Sequence, residues 1–193
     1  MHLADLSIDF PAVIERRKSL PEQTRGITLD DLRTMTGDLY DQLDANAAGL
    51  TDEQIRFVAE DPDQDEEPGW NFAHVILHIT ASAEEGMALG STLARGVEFT
   101  GRSRYEPEWE TFTTAAQVTQ RLAESRRMAF AFLETWPDEP HLDNTYEHEF
   151  FGPMTAVSHA TLGLLHGQGQ MAQVEEIARQ ARATQYPGST GHS

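Results

Sequence analysis

Between Trp70 and Arg95, the residues Phe72, Val75, Ile76, Ile79, Ala83, Met87 and Leu93 recur at intervals that place apolar side chains on one face of an α-helix. An apolar stripe of that length needs partners of similar length, and the chain supplies three. Leu32, Met35, Leu39 and Leu43 mark a helix from about Leu29 to Ala48, opened by Thr28 as N-cap with Asp31 three residues on. Val118, Leu122, Ala129, Phe132 and Leu133 mark another from about Thr114 to Thr135, ended by Pro137. A long last helix, about Thr155 to Thr184, follows Gly152-Pro153-Met154-Thr155 and closes at Pro187-Gly188. No stretch alternates as a half-buried strand does, so the pattern predicts an all-α four-helix bundle.

The remaining segments read as trimmings and connections. Residues 1–27 form an N-terminal extension in which Phe10, Val13 and Ile14 have helical spacing until Pro21 interrupts it. The bundle then occupies residues 28–186, and 187–193 read as a disordered tail. A short helical turn is expected after Thr51. Beyond it, six of the eight residues from Glu60 to Glu67 are acidic, a run without the spaced ligands and turn glycine of a calcium loop, and it reads as a solvated linker. Gly96 to Phe112 is a connection containing Gly, Arg and aromatic residues.

Composition narrows the functions available to such a bundle. The chain has no cysteine, which removes disulfides, thiolate nucleophiles and cysteine-bound metals. Its net charge of −18 comes from 32 acids against 14 bases, and Lys18 is the only base that is not Arg. Nucleic acids and anionic membrane surfaces are therefore poor partners, since both are bound through dense basic patches. No run approaches the roughly 20 apolar residues of a membrane span. Asp5, Asp9 and Glu15 break up the start of the chain where a secretory signal would be basic and then apolar, so a cytoplasmic location is expected.

The histidines fall on the helices. His74 and His78 lie four apart on the second bundle helix, while His159 and His166 lie two turns apart on the last, followed by Gln170 and Gln173 along the same side. Inward polar side chains on facing helices can form a metal site. A lone inward histidine can equally be a core residue hydrogen-bonded to a neighbour, and periodicity does not choose between these readings. Gly163, Gly167 and Gly169 also need a reason, because each helical Gly costs about 1 kcal/mol relative to Ala. Either another helix approaches closely there, within the chain or across a dimer, or space is left beside His166.

Two motifs point to a family. Gly69-Trp70-Asn71-Phe72-Ala73-His74-Val75-Ile76-Leu77-His78-Ile79 resembles the DinB-like signature, in which a Trp starts helix two and a metal-binding His follows just over two turns later. Phe151-Gly152-Pro153-Met154-Thr155, with Leu164-Leu165-His166-Gly167-Gln168-Gly169-Gln170-Met171-Ala172-Gln173-Val174, resembles the family's last helix and its His-x-x-x-His-x-x-Gln pattern. The resemblance implies a divalent metal, zinc or nickel, with His78, His166 and Gln170 as ligands. Gln170 stands where the second histidine of the pattern belongs, and its amide oxygen is a weaker ligand than imidazole.

The resemblance also implies a homodimer and a metal-dependent thiol transferase or hydrolase, with a low-molecular-weight thiol or other small molecule as partner. His74 and Glu85 would lie around the pair as base or supporting groups, Gln173 would line the pocket, and His148, between Glu147 and Glu149 in the loop before the last helix, would be a rim contact. The alternative is a bundle without the metal, acting as a small-ligand binder or a structural homodimer.

Overall fold

The computed structural model describes residues 1–60, 70–99, 101 and 104–184. Its first elements are a 3-10 turn at Leu3–Asp5 and two short helices, α1 (Phe10–Ile14) and α2 (Leu20–Gln23). Pro21 does not break a helix as the sequence suggested. It sits in the first turn of α2, where a missing N–H removes no helical hydrogen bond. Leu3 is buried in the main core, while Val13 and Leu20 pack with Met154 in a smaller cluster.

Helix α3 (Leu29–Ala47) begins at the expected cap, with the Asp31 N–H donating to Thr28 Oγ1 and the Thr28 N–H donating to the Asp31 carboxylate. Such a cap stabilises a helix by about 1 kcal/mol. One helical turn, α4 (Asp52–Ile55), follows Thr51. Asn71 then caps α5 (Phe72–Ala94) by accepting from the His74 N–H at 2.9 Å. A 3-10 turn at Trp109–Thr111 lies in the next connection, and Thr114 with Gln117 forms the capping box of α6 (Ala115–Glu134).

The chain ends differently from its sequence expectation in two respects. Residues Thr145–His148 (β1) and Gly152–Thr155 (β2) form an antiparallel hairpin, pairing Thr145 with Thr155 and His148 with Gly152. Strands of four residues are too short for alternation to declare itself, and Gly152 supplies the φ of +73° that the turn into β2 requires. The expected single last helix is two: α7 (Ala156–Gly169) and α8 (Met171–Ala183), with Gln170 at the junction. Apart from the hairpin, the architecture is the all-α bundle that the four stripes predicted. The acidic linker beyond Glu60 and the tail at 187–193 lie outside the described residues. Among the described residues, no helix is long and apolar enough to cross a membrane.

Helix α5 is the centre of the bundle, buried on almost every side, and its closest neighbour is α7. The two run antiparallel: Ile79 meets Gly167, Gly86 meets Gly163, and Gly90 meets Ala160 and Ala156. A Cβ on Gly86 would stand 2.6 Å from the His159 carbonyl oxygen, and one on Gly163 would stand 2.9 Å from that of Ser82. Gly163 and Gly167 thus serve contact between helices of one chain, with Gly167 also meeting Leu39 of α3. Among the described residues, only open space surrounds Gly169.

Gly86→Ala is accordingly expected to push α7 away from α5 and destabilise the fold by about 1–3 kcal/mol, the usual range for overpacking. Urea unfolding measures it. An unchanged midpoint would mean that the helices can part without loss.

Candidate functional site

The close approach of α5 and α7 brings His78 and His166 together. Their Nε2 atoms lie 2.9 Å apart, and the ring centroids 4.9 Å. Which ring carries the proton between them depends on tautomers, and the geometry permits either. Both rings are half-buried.

The connection between α5 and α6 returns across this stripe of α5. The Arg104 guanidinium donates from Nη1 to Ser82 Oγ and from Nη2 to the His78 carbonyl oxygen at 3.3 Å. Its Nε and Nη2 both donate to Glu106 Oε2, at 3.1 and 2.5 Å, and Glu85 lies 3.9 Å from Nη1. Glu106 Oε1 is 3.2 Å from His78 Nδ1. Partial burial would raise the Glu106 carboxyl, but the hydrogen bond and charge of Arg104, with His78, outweigh it and hold that group below its ordinary range.

An aromatic stack stands one turn before His78. The His74 ring lies between Trp70, at 4.2 Å and 21°, and Trp109, at 5.0 Å and 13°, while Trp70 also meets His78 edge-on at 5.1 Å. Trp109 belongs to the connection, so this stack fastens the returning segment to the start of α5.

A family model of the DinB superfamily matches residues 29–174. The chain belongs to the DinB superfamily. No curated protein and no solved structure shows a significant match to it. The region shared with the DinB superfamily runs from α3 into α8 and contains His78, the returning connection and His166; α1 and α2 lie outside it.

The other site residues inferred from the DinB resemblance are distributed unevenly. Gln170 is half-buried one turn after His166, and its N–H donates to the carbonyl oxygens of His166 and Gly167, both at 3.2 Å. Gln173 is half-buried in the first turn of α8. Neither amide hydrogen-bonds His78 or His166 among the described residues. His148 lies in β1 rather than in a loop. Its Nδ1 accepts from the Phe150 N–H, its ring stacks on Phe151 at 4.8 Å, and it stands 6.4 Å from His159. It belongs to the hairpin end of α7, since His159 lies about 10 Å along that helix from His166 at 1.5 Å per residue. Sequence reasoning passed over Arg104, Glu106, Ser82 and Trp109.

Does this DinB bundle offer a metal a fitting place? Among the described residues, no group of three or more His, Cys, Asp or Glu side chains is arranged to hold an ion. Two imidazoles do converge, however, and nitrogens bound about 2.0–2.1 Å from one divalent ion stand roughly 3 Å apart in neighbouring positions. Burial, with the charges of His78 and Arg104, pushes His166 down to about 4. At neutral pH it is therefore the uncharged imidazole that metals require. The donor chemistry of the two nitrogens would fit a divalent ion.

Proposed function

We propose that this DinB-superfamily chain is a metal-dependent enzyme that activates a low-molecular-weight thiol or a water, in a thiol transfer or a hydrolysis. His78 and His166 would hold the divalent cation, zinc or nickel, with Gln170 as a weaker third ligand. The observation that carries the reading is the 2.9 Å approach of the two Nε2 atoms across helices in backbone contact.

A bound ion of this kind lowers the pKa of a thiol or water at an open position and so supplies the nucleophile at neutral pH. The residues of the chain have separate tasks. His78 and His166 orient their lone pairs, and Arg104 fills the space beside His78 while its charge is balanced by Glu106. The Trp70–His74–Trp109 stack walls the same face.

A second reading has its own support. The two imidazoles also satisfy one another as donor and acceptor, which suits a metal-free pocket for a small ligand. One experiment separates the two: elemental analysis of untagged wild-type protein beside His78→Ala and His166→Ala variants. Stoichiometric metal in wild type, lost in both variants, is the expected result. Metal-free wild type after expression in supplemented medium would overturn the enzyme reading in favour of the second. Gln170→His is expected to tighten zinc binding, because an imidazole replaces an amide oxygen.

A further inference from the structure

His78 can present its Nε2 lone pair toward His166 only if the ring proton is on Nδ1. Two groups compete to decide this. Glu106 Oε1, an acceptor, lies 3.2 Å from Nδ1, and Arg104 Nη2, a donor, also lies 3.2 Å from it. If the guanidinium wins, Nδ1 carries the lone pair and the proton sits on Nε2, in the direction of His166. If the carboxylate wins, the proton sits on Nδ1 and Nε2 is open.

A donor count favours the carboxylate. Arg104 Nη2 has two hydrogens. One is taken by Glu106 Oε2 at 2.5 Å and the other has an acceptor in the His78 carbonyl oxygen at 3.3 Å; Nε also donates to Glu106, and Nη1 donates to Ser82. The guanidinium therefore has no need of Nδ1. Glu106, with Oε2 engaged by Arg104, keeps Oε1 directed at the ring, and a carboxylate can only accept there. One carboxylate thus restrains the competing cation and accepts the ring proton.

We propose that Glu106 is a positioning residue that fixes His78 in the Nδ1–H tautomer and leaves its Nε2 lone pair facing His166. The inference deepens the metal-site reading above, but the tautomer itself can be measured without any metal. A carboxylate behind a ligating histidine orients the ring and is commonly worth 10–100-fold in metal affinity.

Long-range proton–nitrogen NMR correlation on metal-free protein, above about pH 8 where free imidazoles are neutral, reads the tautomer from the two ring nitrogens. The His78 signals are identified by their loss in His78→Ala. Wild type is expected to show a protonated Nδ1. Glu106→Ala leaves Arg104 as the neighbour of Nδ1 and should move the proton to Nε2, whereas Arg104→Ala/Glu106→Ala removes the competing donor and should return part of the population to Nδ1–H. Glu106→Gln, which keeps the length and volume of the side chain, should shift the balance in the same direction as Glu106→Ala and guards against a folding defect.

Titration with zinc chloride is the second readout. Zinc affinity should fall about 10–100-fold in Glu106→Ala and recover in part in the double variant. The two failures are distinguishable. A protonated Nδ1 in wild type that moves in Glu106→Ala, without zinc binding by any variant, sustains the role of Glu106 and removes the metal reading. A wild-type His78 already protonated on Nε2, or a tautomer and zinc affinity indifferent to Glu106, overturns the role of Glu106.

Discussion

Arg121→Met is expected to destabilise the protein by about 3–5 kcal/mol, the usual cost of leaving one member of a buried ion pair without its partner. Arg121 projects from α6 to α5, where Nη2 lies 2.8 Å from Glu84 Oε1 and Nε donates to Thr80 Oγ1 at 3.1 Å. The two charged side chains are only 10% and 13% exposed. Their close atoms are not aligned as a hydrogen bond, so the contact is one of charge. Nearby, the Tyr40 hydroxyl pairs with Ser125 Oγ at 2.7 Å, and burial, offset in part by that hydrogen bond and augmented by the Glu84 charge, pushes its pKa well up.

Met matches the length of Arg without its charge and leaves the Glu84 carboxylate alone in the bundle interior. For a chain of this size the loss corresponds to a melting temperature lower by roughly 6–20 °C. The double variant Glu84→Leu/Arg121→Met should recover most of it, because an apolar pair of similar volume replaces both desolvated charges. A single variant that melts with wild type would mean that water reaches Glu84 and that the pair contributes nothing.

The second large effect is acid sensitivity centred on His159. This ring is 3% exposed, its Nε2 has no hydrogen-bond partner among the described residues, and burial pushes it down to about 4 despite a hydrogen bond with the Tyr146 backbone. In the unfolded chain its value is the ordinary 6.5. Between those values the unfolded state binds the proton and the folded state does not. Stability is thus unaffected above about 6.5, falls as the pH drops toward 4, and levels off below it. The full difference is roughly 3 kcal/mol at 1.36 kcal/mol per pKa unit. Urea unfolding at a series of pH values tests this with His159→Gln, a polar residue that does not titrate. The variant should lose less stability than wild type over that interval, and an identical pH dependence in both proteins would remove His159 as the cause.

The sequence disclosed the helices because each carries its own signal. The Leu32–Met35–Leu39–Leu43 stripe lies in the core, and the Thr28–Asp31 cap sits at the start of α3. Gly163 and Gly167 were explained in kind, by helices at contact distance whose identity required coordinates, whereas no neighbour accounts for Gly169. The hairpin was missed because Thr145–His148 and Gly152–Thr155 are each shorter than the window in which alternation is visible. The break at Gln170 was missed because the apolar spacing continues through it into Val174 and Ile177.

In the site, His78 and His166 could be named because they sit on periodic helices and fall within motifs. Arg104 and Glu106 could not, since they lie in an aperiodic connection and matter only because the chain returns across α5. His148 is a different case. Closeness along the chain to the last helix suggested a rim contact at the bundle mouth, and the hairpin sets its ring 6.4 Å from that of His159.

The two imidazoles are spaced by helices that touch backbone to backbone, whereas the groups that condition them arrive on a separate connection. Ring spacing and chemical environment are thereby inherited from different parts of the sequence. Substitutions between Arg95 and Phe112 can alter charge and proton placement around the pair without rebuilding the scaffold. A connection grafted from a related bundle would import that relative's electrostatics while keeping this chain's histidine spacing, which makes the segment the natural handle for changing the surroundings of the pair.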